Sequence, residues 1–466
     1  MLQPFTAAIA ANRFGLGARP GDLAHIGNDA PGWLRVQLQG VPPEVVADGL
    51  RSSADIIAQS QELRREIRQA RQEARNGDAA LQAATKLPKL FRPLYIAEVT
   101  ARFRQAVTTD RPFLERVTQF WTNHFAVSVD KGAVLGVAGS LEREAIRPRV
   151  LGNFTDLLLA VEQHPAMLLY LDNHLSVGPH SRAAVILGRR NAKRPLGINE
   201  NLAREIMELH TLGVGSGYTQ TDVTTFAEVI TRWSIGGEGG RVSSGEPGKF
   251  VFRAELHEPG AKVVLGKRYA DKGIEQGEAV LRDIAARPAT AHFLATKLCR
   301  HFIADDPPTD AVAHVARAFS SSGGDLPTVY EALLTAPAAW AQPLSKYKTP
   351  SDYIVSTFRG LQLPVGDGRA ALGAFEALGQ RTYSPGSPAG WPDRSDDWSG
   401  ASALMKRIEW ADALGQRVGG RREATGLAPL LLGATLSADT STAISRAASA
   451  PQALTLLLAA PEFMRR

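Results

Sequence analysis

Two helical stretches place basic or titratable residues where their periodicity asks for apolar ones. Asp110 is a good N-cap and Pro112 suits a first turn, so a helix is expected from there, with Phe113, Val117, Phe120, Trp121 and His124 on one stripe. A histidine inside such a stripe is either a satisfied core residue or a neutral imidazole poised as a metal ligand or general base. On a second helix, Thr290 to Ile303, Leu294 and Leu298 define the apolar side, while Lys297 and His301, four apart, project beside them. A lysine there either snorkels outward along its stem or requires an acidic or ligand partner, because an unpaired buried ammonium is costly.

The run from Gly197 to Gly213 holds the densest polar pattern, with Asn199 as a cap and Gly213 as a stop. At roughly 100° per residue, Asn201, Glu205 and Glu208 fall within about 60° of one another, while Leu202, Ile206 and Leu209 form the apolar side. Paired carboxylates suit a divalent cation or general acid/base work. The structural alternative is a surface face in which Arg204 pairs with Glu200 or Glu208 one turn away. His210 lies roughly opposite the carboxylates and does not join them by helical geometry. Further on, His257-Glu258-Pro259-Gly260 sets a histidine beside a carboxylate at a turn, where its side chain is expected to be exposed and able to reach a cleft.

These residues need a scaffold, and the pattern around them is mainly helical. The expectation is one large multi-helix domain over residues 1–466. An exposed, charge-laced helical segment spans 52–86, and a small β-hairpin lies near 249–268 within an insertion at 236–270. A long Gly/Pro-rich loop near 364–400 carries Trp391 and Trp398. Thr219 and Asp222 form a capping-box start for a helix bearing Val223, Phe226, Ile230 and Trp233.

Composition narrows the class. The chain has 466 residues with 44% hydrophobic content, enough for a sizeable core, and its longest apolar runs fall well short of a bilayer span. A net charge of +6 from 53 basic and 47 acidic residues is too small an excess for a dedicated nucleic-acid surface. Cys299, the single cysteine, rules out an intrachain disulfide or a Cys-based zinc cluster. Met1 to Gly15 lacks the basic start of a secretory signal, so a cytoplasmic location is expected, with the periplasm or export as the alternative. There is no phosphate-binding Gly-x-x-x-x-Gly-Lys-Ser/Thr loop, no Gly-x-Ser-x-Gly elbow and no His-Glu-x-x-His helix.

Taken in order, a set of landmarks resembles the bacterial domain-of-unknown-function 1800 family. They begin with Asn12-Arg13-Phe14-Gly15-Leu16-Gly17, Phe120-Trp121-Thr122-Asn123-His124-Phe125, Pro165-Ala166-Met167-Leu168 and the run Asn199 to Gly213. They continue with Gly217-Tyr218-Thr219-Gln220 and Asp222, His257 with Gly260 and Lys262, and Ala295-Thr296-Lys297-Leu298 with His301-Phe302. Lys348 with Pro350, and Gly390-Trp391-Pro392, complete the series. The resemblance implies a large helical protein of a kind often exported and often encoded beside sulfatase-like partners. It also implies that His124, Glu205, Glu208, His257, Lys297 and His301 occupy motif positions. The chain departs from the pattern in lacking an evident export signal and in carrying Glu258 where aspartate is expected.

The function expected from these residues is an enzyme with a pocket between helices, hydrolytic in its mildest form, with a divalent metal as its candidate cofactor. His124, Glu205, Glu208, Lys297 and His301 would act in the chemistry, Asn201, His257 and Trp391 would contact substrate, and His124, Glu205, Glu208 and His257 could ligate the metal. That reading expects His124, a carboxylate from Glu205 or Glu208, and His257 or His301 within about 5 to 8 Å of one another. The competing expectation is a non-catalytic helical scaffold in which the same residues form a satisfied buried network. A third is an anion or glycan binder built on Trp391, Trp398 and the basic excess.

Overall fold

The structure, a computed structural model, describes residues 5–73, 86–188, 197–237, 245–341 and 343–466. It is 61% helical with two small two-stranded sheets, so the chain is mainly α. No helix among the described residues is long and apolar enough to cross a membrane.

The two helices singled out by their stripes form as expected, at Pro112–His124 and Pro288–Phe302. Asp110 does not cap the first of them. The cap residue is Arg111 and makes no side-chain cap bond; Gln37 reaches across instead and accepts from the Phe113 amide at 2.8 Å. Asp110 is turned outward to Arg19.

Apolar side chains gather in two clusters. The larger centres on Phe14, Phe113, Trp121, Phe125, Phe154, Phe302 and Tyr330, with the Phe14 ring 5.7 Å from Phe113 and 5.8 Å from Phe302. The smaller joins Phe103, Tyr353, Phe358 and Phe375 to the paired helices Ala401–Val418 and Ala450–Ala459. Pro350–Gly360 carries the smaller cluster's Tyr353 and Ile354 and begins with a capping box between Thr349 and Asp352.

The expected hairpin resolves into two. β1 (Trp233–Ile235) pairs antiparallel with β2 (Phe250–Phe252), and β3 (Lys262–Val264) pairs with β4 (Lys267–Tyr269) around Leu265 and Gly266. The two alternating runs near 250 and 263 therefore do not pair with each other; each finds its partner in a neighbouring segment. Residues 238–244 of this insertion lie outside the described residues. The charged helix runs Ser53–Glu73 and is exposed along Glu62, Arg64, Arg65 and Glu66, but Ile56, Ile57 and Ile67 seat its other face in the core. The rest of that expected segment, 74–85, lies outside the described residues. Within the stretch expected as a loop, Arg369–Ala377 is helical, and irregular backbone resumes from about 380 to 400.

Candidate active site

A cavity of about 340 Å³ opens beside the larger cluster, whose Phe120, Phe125 and Leu141 line part of it. Arg116, Phe120, Asn123 and His124 line it from one helix, Lys297, Arg300 and His301 from the second. Asp352 enters from the start of Pro350–Gly360, and Tyr383, Trp391 and Asp393 from the loop. Asn123 holds that loop down with both ends of its amide: its Nδ2 donates to the Trp391 carbonyl at 2.9 Å and its Oδ1 accepts from the Trp391 amide at 2.8 Å. Gly390 lies against this clamp at φ +83°, where a Cβ would fall 2.3 Å from the Asn123 carbonyl oxygen, so only glycine fits.

The clamped loop delivers Asp393 to His301. His301 Nδ1 lies 3.0 Å from Asp393 Oδ2. An ionised carboxylate only accepts, so Nδ1 carries the proton and Nε2 presents a bare lone pair, which has no partner among the described residues. Burial pushes the His301 pKa down to about 4, and Arg466 and Arg116 act in the same direction against the pull of Asp393. The ring is therefore neutral near pH 7. Burial alone would raise Asp393, but His301, Arg466 and Lys346 hold it far below the usual carboxylate range.

Asp393 is itself fixed from behind. Arg466 Nη2 donates to Oδ1 at 3.0 Å, and Lys346 Nζ donates to the Asp393 carbonyl at 2.6 Å while pairing with Asp305 at 2.7 Å. Arg466 reaches this position because the backbones of Lys346 and Arg466 exchange two hydrogen bonds, beside a bridge between Tyr347 and Arg465. The histidine, its carboxylate and the carboxylate's support form one ordered chain.

Lys297 lies one helical turn before His301 and also borders the cavity. It makes no ion pair among the described residues; its ammonium rests over the Phe293 ring at 5.6 Å, and burial lowers its pKa to about 8. His124 is buried, and its Nε2 donates to the His210 carbonyl at 3.1 Å. Its Nδ1 is left as an unpartnered acceptor, and burial, with Lys297 and His210, holds the ring well below the ordinary histidine range. The Phe120 ring stands between the two imidazoles, 6.2 Å from His124 and 5.4 Å from His301.

A family model described as a protein of unknown function, DUF1800, matches residues 9–465. The chain belongs to the DUF1800 family. No curated protein and no solved structure matches it.

In this DUF1800 protein the cavity gathers four of the eight residues expected at the site: His124, Lys297, His301 and Trp391. The other four lie elsewhere. Asn201 is exposed. Glu208 pairs with Arg204 at 3.3 Å, on the surface face that was the structural alternative. Glu205 is half-buried with its pKa raised by burial, but it does not line the cavity. His257, expected at an exposed turn, is buried: its Nδ1 donates to the Thr231 carbonyl at 3.2 Å and its ring meets Phe252. Among the described residues no group of three His, Cys, Asp or Glu side chains could hold a metal ion, so the set His124, Glu205, Glu208 and His257 does not converge.

The helix that carries the carboxylates explains part of the difference. Asn199 Oδ1 accepts from the Asn201 amide, and Gly213 ends the segment at φ +86°, both as the sequence suggests. Between them the α-helix Asn201–Glu205 widens into a π-helix at Ile206–His210, which changes the phase of everything after it. His210 is thereby turned fully inward, where its Nδ1 meets the buried Glu162 at 2.8 Å and its ring lies 6.1 Å from His124.

Three contributors escaped the sequence reading. Arg116 had a signal, since it shares the four-residue spacing of Phe120 and His124. Asp393 follows directly on Gly390-Trp391-Pro392, so its place beside a motif was visible but its partner was not. Arg466 carried no signal, because it acts through a pairing with residue 346 that no local pattern encodes.

Proposed function

We propose that this DUF1800 protein is an enzyme whose reacting base is the His301–Asp393 pair, and that it hydrolyses a small substrate held between Lys297 and Trp391. One observation carries the reading: a neutral imidazole with its proton fixed on Nδ1 by the Asp393 carboxylate and its Nε2 lone pair unspent among the described residues, on a side chain that lines the cavity. A general base requires that arrangement. In the reaction, Nε2 takes a proton from a water molecule as its oxygen attacks the substrate's electrophilic centre. The imidazolium then returns that proton to the departing group, so the ester or amide bond breaks with one water consumed. Asp393 fixes the tautomer and stabilises the transient positive charge. His124, farther in, lines the pocket as a second neutral acceptor.

The test is a hydrolysis screen over carboxylic esters, amides and phosphomonoesters, run on the wild type and on His301→Gln. Turnover in the wild type that falls by roughly 10²- to 10⁴-fold in the variant supports the reading. Turnover that survives the substitution sinks it.

A second reading, a scaffold whose polar residues serve only packing, draws on the buried ion cluster of Arg102, Glu142, Arg147 and Glu115. The unspent groups around the cavity speak against extending that role to His301 and Lys297.

A further inference from the structure

We infer that the cavity contains an oxyanion subsite formed by Arg116 and Lys297, and that its natural ligand carries a carboxylate or phosphate group. The inference shares the location of the His301 site but not its chemistry.

Arg116 is only 2% exposed, yet it lines the cavity. One arm is spent: Nη1 donates to the Gly15 carbonyl and to Asp352 Oδ1, both at 3.0 Å. The other edge, formed by Nε–H and Nη2–H, has no partner among the described residues. That edge presents two parallel donors, the geometry with which a guanidinium grips a carboxylate or phosphate side-on. A buried guanidinium keeping two donors empty is costly unless something occupies them. Burial and the neighbouring Arg466 lower Arg116 to about 9, so it still holds its charge at neutral pH.

Lys297 supplies the second contact, a half-buried ammonium facing the same cavity with no ion pair among the described residues. The local charge balance points the same way. Lys297, Arg116, Arg466 and Lys346 surround the centre, against Asp352, Asp393 and Asp305, and these three carboxylates are already engaged by Arg116, Arg466 and Lys346. The Lys297 ammonium and one bidentate edge of Arg116 are left over, with Arg300 adding further positive charge at the wall, and an oxyanion would satisfy them. Trp391, half-buried at the mouth, leaves an aromatic wall beside the anion for the rest of the ligand.

Isothermal titration of the full chain with inorganic phosphate, and separately with acetate, tests this without requiring turnover. The expected result is saturable binding of at least one anion. Lys297→Met and Arg116→Lys should each weaken it by roughly tenfold or more, the second because a point charge cannot replace the fork. The anion that binds more tightly assigns the group. If Arg116→Lys fails to fold, Lys297→Met decides, with restoration by Lys297→Arg as its control. Absence of binding up to on the order of 10 mM of either anion overturns the inference, as does a Lys297→Met protein that binds like the wild type. The two claims fail separately: His301→Gln that binds phosphate normally while the wild type hydrolyses nothing removes the base and keeps the subsite. Turnover of a neutral ester with no anion binding does the reverse.

Discussion

Two buried polar clusters lie side by side in this protein and use their charges differently. In one, Arg147 grips Glu115 with two bonds of 2.7 and 2.8 Å and reaches Glu142 at 2.8 Å, while Arg102, Thr122 and Tyr383 donate to the other Glu142 oxygen. All four carboxylate oxygens are occupied. In the other, among the described residues, His301 Nε2, His124 Nδ1 and the outer edge of Arg116 have no partner and Lys297 has no counter-ion. Both clusters contain the residue types that sequence inspection marks as unusual. Arg147 Nε is unpartnered too among the described residues, so what separates structure from site is that the second cluster's unspent groups sit on side chains that line the cavity.

The sharpest way to break this contrast is to remove a member of each cluster. Glu142→Ala strands Arg102 as a largely buried cation, leaves Arg147 with Glu115 alone, and should destabilise the fold by roughly 3 kcal/mol in denaturant unfolding. A loss below about 1 kcal/mol would mean that the first cluster is not structural either. His301→Gln should do the opposite, costing about 1 kcal/mol of stability or less, because Arg466 and Lys346 still hold Asp393, while removing the activity.

Proton linkage separates the clusters by pH. The His301 pKa is about 4 in the folded protein against 6.5 ordinarily, so the unfolded chain takes up that proton first as pH falls. Its contribution, about 3 kcal/mol at most, is complete above pH 6.5 and is lost between there and pH 4. His124 adds to the loss with the same sign. Burial would raise Glu142, but Arg102 and Arg147 carry it down to about 2 against 4.5, so its contribution disappears in a lower window, from 4.5 toward 2. Unfolding free energies measured from pH 7 to 3 should show His301→Gln flattening the upper window alone; flattening across both would tie the clusters together.

Activity should follow its own pair of limits, rising through pH 4 as His301 loses its proton and falling near pH 8 as Lys297 loses its charge. A profile whose upper limb does not move in Lys297→Met contradicts the role given to that lysine. The smallest effect is expected on the carboxylate face: Glu208→Ala breaks only a partly exposed pair with Arg204 and should alter stability by less than about 1 kcal/mol and leave turnover untouched. A large loss of activity there would return the chemistry to the surface favoured by spacing alone.

Much of this protein was determined by short-range pattern. The mainly helical class, the Pro112–His124 and Pro288–Phe302 helices, the capping box at Thr219 and Asp222, and the one-turn spacing of Lys297 and His301 all follow from interactions within about four residues. The tertiary structure decided what those side chains meet. His301 finds Asp393 ninety-two residues away, Arg466 supports it from the far end of the chain, and each short strand takes a partner other than the one its alternation suggested. The π-helix at Ile206–His210 turns His210 inward, and the Glu205–Glu208 face does not reach the cavity. Helical periodicity specifies a face only while the pitch stays constant, and it carries no information about which distant element will cover that face.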